Sequence, residues 1–315
     1  MDINNEIAKL NWDKEPKGLY APIEYALQTG GKRLRPQLAL IAAQIFDGNE
    51  QDVLPAALAL ELFHNFTLLH DDVMDKADVR RGRPTVHVRW NENTAILSGD
   101  QMLIEAYKLL EQVPTHTLPQ VLQMFNKMAT EICEGQQYDV DFENQSNTTI
   151  DDYLMMIERK TSVLLATALQ IGSYIAGADT QQQQALYQYG IHIGLAFQIQ
   201  DDLLDVYGDP QTFGKAIGGD IACNKKTYLL LTALQLADTW DKHELQQWLN
   251  NTDAPKDEKI TAVTALYNRI GVRQVCEKAV QEYTRQAIQD LQTLPQNQGT
   301  QTLQSLAESL YNRTK

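Results

Sequence analysis

The chain has 315 residues, 43% of them hydrophobic, and its 41 acidic residues against 27 basic ones give a net charge of -14 at pH 7. That is enough apolar material for a sizeable core and too little positive charge for a broad nucleic-acid surface, so any polyanionic ligand has to be met by local cations. The cysteines Cys133, Cys223 and Cys276 lie far apart with no CxxC spacing, which argues against a disulfide framework or a zinc site and for a reducing, cytoplasmic compartment.

The first residues, MDINNEIAKLNWDKEPKG, are polar and carry no apolar targeting stretch. Apolar residues at helical spacing then predict helices over 19–29 and 35–46, separated by the sequence TGGKRLRP. The next predicted helix, 53–75, carries Leu58, Leu62, Phe66, Leu69 and Val73 on its apolar stripe and ends in HDDVMD. Further helices are predicted over 93–111, 118–141, 150–177, 182–207, 225–238, 242–250, 256–270, 272–292 and 300–312. The longest apolar tract, Val163 to Ala178, is interrupted by Thr167, Gln170 and Ser173, so no stable membrane anchoring is expected. Period-two alternation never persists, and the ten prolines fall at the starts of apolar-periodic runs or between them. With no long linker and no fixed-period repeat, the expectation is an all-α fold in a single domain, 1–315.

Two predicted helices end in the same pattern, DDxxD: Asp71, Asp72 and Asp75 in the first, Asp201, Asp202 and Asp205 in the second. At i and i+4 the outer carboxylates of each run share a helix face about 6 Å apart along the axis, where they repel one another. They also sit at helix C-termini, where the macrodipole disfavours anions. Local stability rules broken twice in the same way mark a functional site. Carboxylates so paired suit Mg²⁺, which binds through one or two of them plus substrate phosphate oxygens, whereas neither run has the alternation and central glycine of a calcium loop.

Cations accompany the acids: Lys32, Arg33 and Arg35 in TGGKRLRP; Arg80, Arg81 and Arg83 after the first cluster; Lys160 in ERKTS; Lys215, Lys225 and Lys226 after the second. Arginine forks and lysine point charges are what a diphosphate requires, and Gly30 and Gly31 allow backbone to come close to it. His70 lies about 100° around the helix from Asp71, which assigns it to packing, while His64 returns to nearly the same face.

In order, GGKRLRP, HDDVMDKADVRRGRPTVH, KTS, FQIQDDLLDVYGD, GKAIGGD and NKKTY resemble the trans-isoprenyl (polyprenyl) diphosphate synthases. The resemblance implies the isoprenoid-synthase fold, an all-helical bundle around a deep central cavity, in a homodimer. It implies condensation of isopentenyl diphosphate with an allylic diphosphate, with three Mg²⁺ ions between Asp71, Asp75 and Asp201 stabilising the leaving group, and with Asp72, Asp202 and Asp205 completing the metal motifs. By the same carry-over, Arg80, Lys160 and Lys215 neutralise the departing diphosphate; Lys32, Arg35, His64 and Arg81, with Lys225, belong to the binding of the substrate diphosphates; and Thr161 and Gln198 face the developing cation. Arg313 and Lys315 resemble a basic tail that in some members closes over the second substrate.

The growing chain is expected to run along the helix that carries Asp71, at roughly one 5.4 Å turn per isoprene. Thr67 is small, whereas Phe66 and Phe63 are bulky, a pattern resembling geranylgeranyl diphosphate synthases; the expectation is a product of twenty carbons first and fifteen second. Phe66 sits about 140° from Asp71 on an ideal helix, so it reaches the cavity only if the helix bends or the cavity is wide. The alternatives are a class I terpene cyclase, against which the cations Lys32, Arg35 and Arg81 count, and a non-catalytic subunit of a heteromeric synthase, which predicts eroded acidic motifs.

Overall fold

The computed structural model describes residues 1–209 and 217–312, and within them the chain is mostly helical, with two short strands. The chain divides into two compact units, each assembled from separate stretches of sequence.

The first unit covers Met1–Asn126, Thr167–Leu186 and Pro295–Gly299. It begins with helices α1 (Ile3–Ala8), α2 (Lys17–Leu27), α3 (Leu34–Ile45) and α4 (Glu50–Met74). α4 is started by the Asn49 side chain, which accepts the Gln51 N–H at 3.1 Å. Its residues Ala56 to Phe63 are buried without a break, so this stretch is surrounded on every side, as expected of a helix apolar all round. α3 and α6 (Glu92–Leu110) both pack on it. Among the described residues α4 alone has the length and hydropathy of a membrane span, and 67% of that window is buried as in a core helix. Between α4 and α6 lie a two-stranded hairpin, β1 (Val79–Arg80) and β2 (Arg83–Pro84), and the single turn α5 (Val86–Arg89).

The second unit covers Lys127–Ala166, Tyr187–Leu294 and the residues from Thr300 on. Its core joins Ala196, Ile199, Leu203 and Val206 of α10 (Thr180–Tyr207) to Leu229, Leu230 and Ala233 of α12 (Tyr228–Leu236). Val263, Leu266 and Tyr267 of α14 (Lys256–Ile270) and Val272, Cys276 and Val280 of α15 (Val272–Asp290) complete it. The remaining helices among the described residues are α8 (Ile150–Ile157), α11 (Gly219–Ala222) and α13 (Thr239–Asn250) in this unit, and α7 (Leu118–Asn144), α9 (Val163–Ile175) and α16 (Gln298–Asn312), each of which has residues in both units.

The structure corrects the sequence reading in three places. The helix expected over 150–177 is broken at Glu158–Ser162 by a turn of π-helix, a form that local propensity does not announce. Pro22 and Pro55 lie inside α2 and α4 rather than at their borders, in the sixth helical position of each, close enough to the N-terminus that little of the helical ladder precedes them. The hairpin and the short helices α1, α5 and α11 are too brief to leave a periodic signal.

Candidate active site

Within the first unit, α4 ends where its acidic run begins to leave the helix. Asp75 is the C-cap, and its N–H still donates to the Asp71 carbonyl at 2.8 Å, so Asp71 and Asp75 stand one turn apart. Asp71 is half-buried and Asp75 exposed. Asp72 points elsewhere: it is buried, and its Oδ1 accepts the Arg80 Nε–H at 2.7 Å. Burial pushes the Asp72 carboxyl up, and the Arg80 charge opposes the shift without cancelling it. Arg80 reaches back because the hairpin reverses the chain at Arg81 and Gly82, both at positive φ (52° and 74°), as a two-residue primed turn requires.

The same unit gathers a positive pocket. Arg81 donates to the Gly30 carbonyl, and its guanidinium fills the space a Cβ on Gly31 would need, 2.6 Å from Nη1; the glycine pair expected to approach the ligand directly makes room for an arginine. Arg35 is enclosed, its Nε has no hydrogen-bond partner among the described residues, and burial lowers its pKa to about 10. Burial, then the charges of Arg35, Arg81, Arg80 and Arg33, hold the His64 imidazole well below its ordinary range, so it is neutral at pH 7. Lys32 is exposed nearby in sequence and makes no ion pair among the described residues. A guanidinium with a buried, orphaned N–H and another guanidinium charge nearby favours an incoming anion, which is the fit expected of a diphosphate site.

In the second unit α10 repeats the theme. Asp201 and Asp205 are half-buried, and Asp202 is buried. Asp202 accepts the Tyr153 O–H at 2.6 Å, the Tyr228 N–H at 3.0 Å and the Gln198 Nε2–H at 3.3 Å. Desolvation pushes its carboxyl up to about 7, with Asp220 adding to the shift and the Tyr153 and Tyr228 hydrogen bonds opposing it. Asp205 accepts the Asp220 N–H at 3.0 Å and so fixes the start of α11. Lys160 pairs with Asp139 at 2.5 Å; it and the half-buried Thr161 project from the π-helical turn.

Glycines seat that turn on both sides. A Cβ on Gly135 of α7 would stand 2.3 Å from the Lys160 backbone nitrogen, and one on Gly194 of α10 would stand 2.3 Å from the Ser162 Oγ. Lys225 is exposed, while Lys226 donates to the carbonyls of Phe142 and Gln145 and so ties backbone together. Lys215, Arg313 and Lys315 lie outside the described residues.

Below Asp71 on α4, Phe66 is half-buried and edge-on to both His70 (4.8 Å between centroids) and Phe63 (5.4 Å). Phe63 is buried and stacks edge-on to Phe125 at 5.3 Å, which in turn meets Tyr107 at 5.2 Å. Thr67 turns its hydroxyl back to the His64 carbonyl at 2.8 Å. His70 packs as expected, its Nε2 3.1 Å from the Ile96 carbonyl. The partners that sequence reasoning missed are Glu61, Asp139, Tyr153, Tyr228 and Phe125. Asp139, Tyr153 and Phe125 lie outside the motifs in sequence, Tyr228 closes the NKKTY string without a sign of its role, and the presence of a carboxylate in the apolar run ALELFHNF was the signal that could have singled out Glu61.

The donor set in each acidic motif is all oxygen, with the outer carboxylates one turn apart and the middle one already engaged by the protein. Among the described residues no group of three or more His, Cys, Asp or Glu could by itself hold a metal ion. Such pairs fit Mg²⁺, which keeps waters and substrate phosphate oxygens for the rest of its shell, and do not fit an all-protein cage.

A family model described as Polyprenyl synthetase matches residues 16–267. A geranylgeranyl diphosphate synthase of Methanosarcina mazei is 44% identical over 70% of this chain and 68% of its own length. A geranylfarnesyl diphosphate synthase of Natronomonas pharaonis is 36% identical over 99% of this chain and 95% of its own. Among solved structures, a geranylgeranyl pyrophosphate synthase superimposes with a TM-score of 0.93 at 43% identity, covering 99% of this chain and 97% of the other.

Proposed function

Because this chain belongs to the polyprenyl synthetase family and is by that membership a trans-prenyltransferase, we propose that it condenses isopentenyl diphosphate with an allylic diphosphate to give a short-chain prenyl diphosphate, of twenty carbons before fifteen. The observation that carries this reading is the pocket of Arg35, His64 and Arg81 with its unsatisfied Arg35 Nε. An enzyme that only ionises one diphosphate has no use for a second enclosed cationic pocket, and an inactive subunit has no use for two intact acidic motifs. The product length rests on the bulk of Phe66 and on the name of the 44% identical relative.

Asp71 with Asp75, and Asp201 with Asp205, are the residues that would hold Mg²⁺, three ions by family likeness. Bound there, the metal would supply electrostatic stabilisation of the negative charge that collects on the departing diphosphate. Asp72 and Asp202 then act as struts that aim the ends of α4 and α10. Arg80, Lys160 and Lys215 would share the remaining charge, Lys160 exchanging Asp139 for phosphate oxygens. Lys32, Arg35, His64 and Arg81, with Lys225, would bind the diphosphate that stays intact, His64 as a neutral hydrogen-bonding ring. Gln198 gives its NH₂ to Asp202, which would leave its carbonyl oxygen for a developing allylic cation, a role the Thr161 hydroxyl would share. No side chain is needed to take the final proton, since the released diphosphate is itself a base. A homodimer in the cytoplasm completes the proposal.

Incubating the protein with Mg²⁺, isopentenyl diphosphate and each allylic diphosphate in turn, and measuring released diphosphate and product length, tests it. Turnover only in the presence of both substrates is expected. Cyclic hydrocarbon from the allylic substrate alone, or no turnover with any primer, rejects the reading.

A further inference from the structure

Two arginines flank Leu34, and the protein treats them oppositely. Arg35 is left with an orphaned donor. Each of the three Arg33 nitrogens donates: Nη1 to Glu61 Oε1 at 2.7 Å, Nη2 to the Leu27 carbonyl, and Nε to Asn4 Oδ1 at 3.3 Å, which ties together α4, the end of α2 and α1. The backbone of Arg33 is left-handed (φ 46°), a conformation that disfavours a side-chain-bearing residue, so this placement is imposed by the tertiary bonds. Both ends of the pair are enclosed, with side-chain exposures of 3% and 4%.

Glu61 is the carboxylate whose charge reaches both Arg35 and Arg81. It sits one helical turn before His64 on α4, inside the cluster of guanidiniums. An unengaged carboxylate there would pair with Arg35 and quench the very charge a substrate diphosphate needs. Arg33 holds its Oε1, and Asn65 Nδ2 adds a second hydrogen bond to the same oxygen at 3.1 Å.

We propose that Arg33 is a positioning residue for the pocket of Arg35, His64 and Arg81: it holds the Glu61 carboxylate in a pair of its own, so that Arg35 and Arg81 feel that charge but are not paired with it and keep their N–H groups for the non-allylic diphosphate. The inference rests on the prenyltransferase reading above and adds to it a residue that never touches substrate. Arg33 acts through Glu61, and the effect is confined to one of the two diphosphates.

The test compares Arg33→Gln, Glu61→Gln and the double variant, measuring KM for each substrate and kcat. Arg33→Gln is expected to raise KM for isopentenyl diphosphate by about tenfold or more, the cost of losing a charge-assisted contact, with the allylic KM and kcat within about threefold of wild type. Adding Glu61→Gln removes the quencher and is expected to return that KM to within about threefold of wild type. A merely structural role would lower kcat and raise both KM values together, and would make the double variant no better than the single.

An unchanged KM for isopentenyl diphosphate in Arg33→Gln, or no recovery in the double variant, overturns the inference. Should Arg33→Gln fail to fold, Glu61→Gln decides: its KM for isopentenyl diphosphate must be equal to or below that of wild type, and a rise overturns the inference. Wild-type protein that condenses nothing would remove the underlying reading, whereas wild-type turnover with an unaffected Arg33→Gln removes this inference alone.

Discussion

Replacing Gly135 by alanine should separate positioning from mere packing in the second unit. Gly135 is buried in α7, and the added Cβ would lie 2.3 Å from the Lys160 backbone nitrogen and 2.8 Å from the Arg159 carbonyl carbon. Ordinary contact begins near 3.4 Å, so helix and π-turn must part by about 1.1 Å. Both obstacles are backbone atoms, so no side-chain rotation relieves the clash. In an unobstructed helix, Gly→Ala stabilises by about 0.5–1 kcal/mol; here overpacking should reverse the sign and destabilise by about 1–3 kcal/mol. For a chain of this size that corresponds to a melting point lower by about 1.5–4.5 °C. The same displacement moves Lys160 and Thr161 off their positions, and about 1 Å of misplacement costs roughly a hundredfold in turnover. Circular-dichroism melting and release of diphosphate measure the two effects. Gly18→Ala, where a Cβ meets nothing within 4 Å, is the control and should melt at or slightly above the wild-type temperature. A Gly135→Ala protein that melts no lower than wild type and keeps kcat within threefold would show that the close approach of α7 to the π-turn does not hold the site.

Asp71→Ala or Asp201→Ala should abolish detectable turnover while the far-UV spectrum stays helical, because what is lost acts only on the transition state; retention of a tenth of wild-type kcat by either variant would contradict the assignment. Phe66→Ala should lengthen the product by at least one isoprene, read by chromatography of the dephosphorylated alcohols, and an unchanged distribution would acquit Phe66. His64 gives a pH signature. Its folded pKa lies below the unfolded value near 6.5, so the unfolded chain takes up a proton first as pH falls, and stability is lost below pH 6.5 by up to about 1.4 kcal/mol per pH unit. Denaturant midpoints at pH 7.5 and 5.5 should therefore fall less for His64→Gln than for wild type, and equal falls would refute the account.

Much of the molecule is legible in one dimension because its information is local. Helical periodicity locates the long helices, since the apolar stripe of a helix such as α10 is written in consecutive residues, and the family motifs are contiguous strings. Identical DDxxD runs at two helix ends can be recognised as functional without coordinates, because charge repulsion and the macrodipole are properties of the segment itself. The π-turn at Glu158–Ser162 escapes that kind of reading, because the neighbours packed closely against it, Gly135 and Gly194, come from distant parts of the chain.

What the sequence determined alone is therefore the helical class, the family, and which residue types carry the chemistry. Only the folded chain decides the division of labour among identical residues. Within each motif the middle aspartate is buried and held, by Arg80 in one and by Tyr153 in the other, and of two neighbouring arginines one is paired with a carboxylate while the other keeps an orphaned N–H. The physical reason is that burial and hydrogen-bond partners come from residues tens of positions away, and whether a charge is spent inside the protein or kept for a ligand depends on those partners.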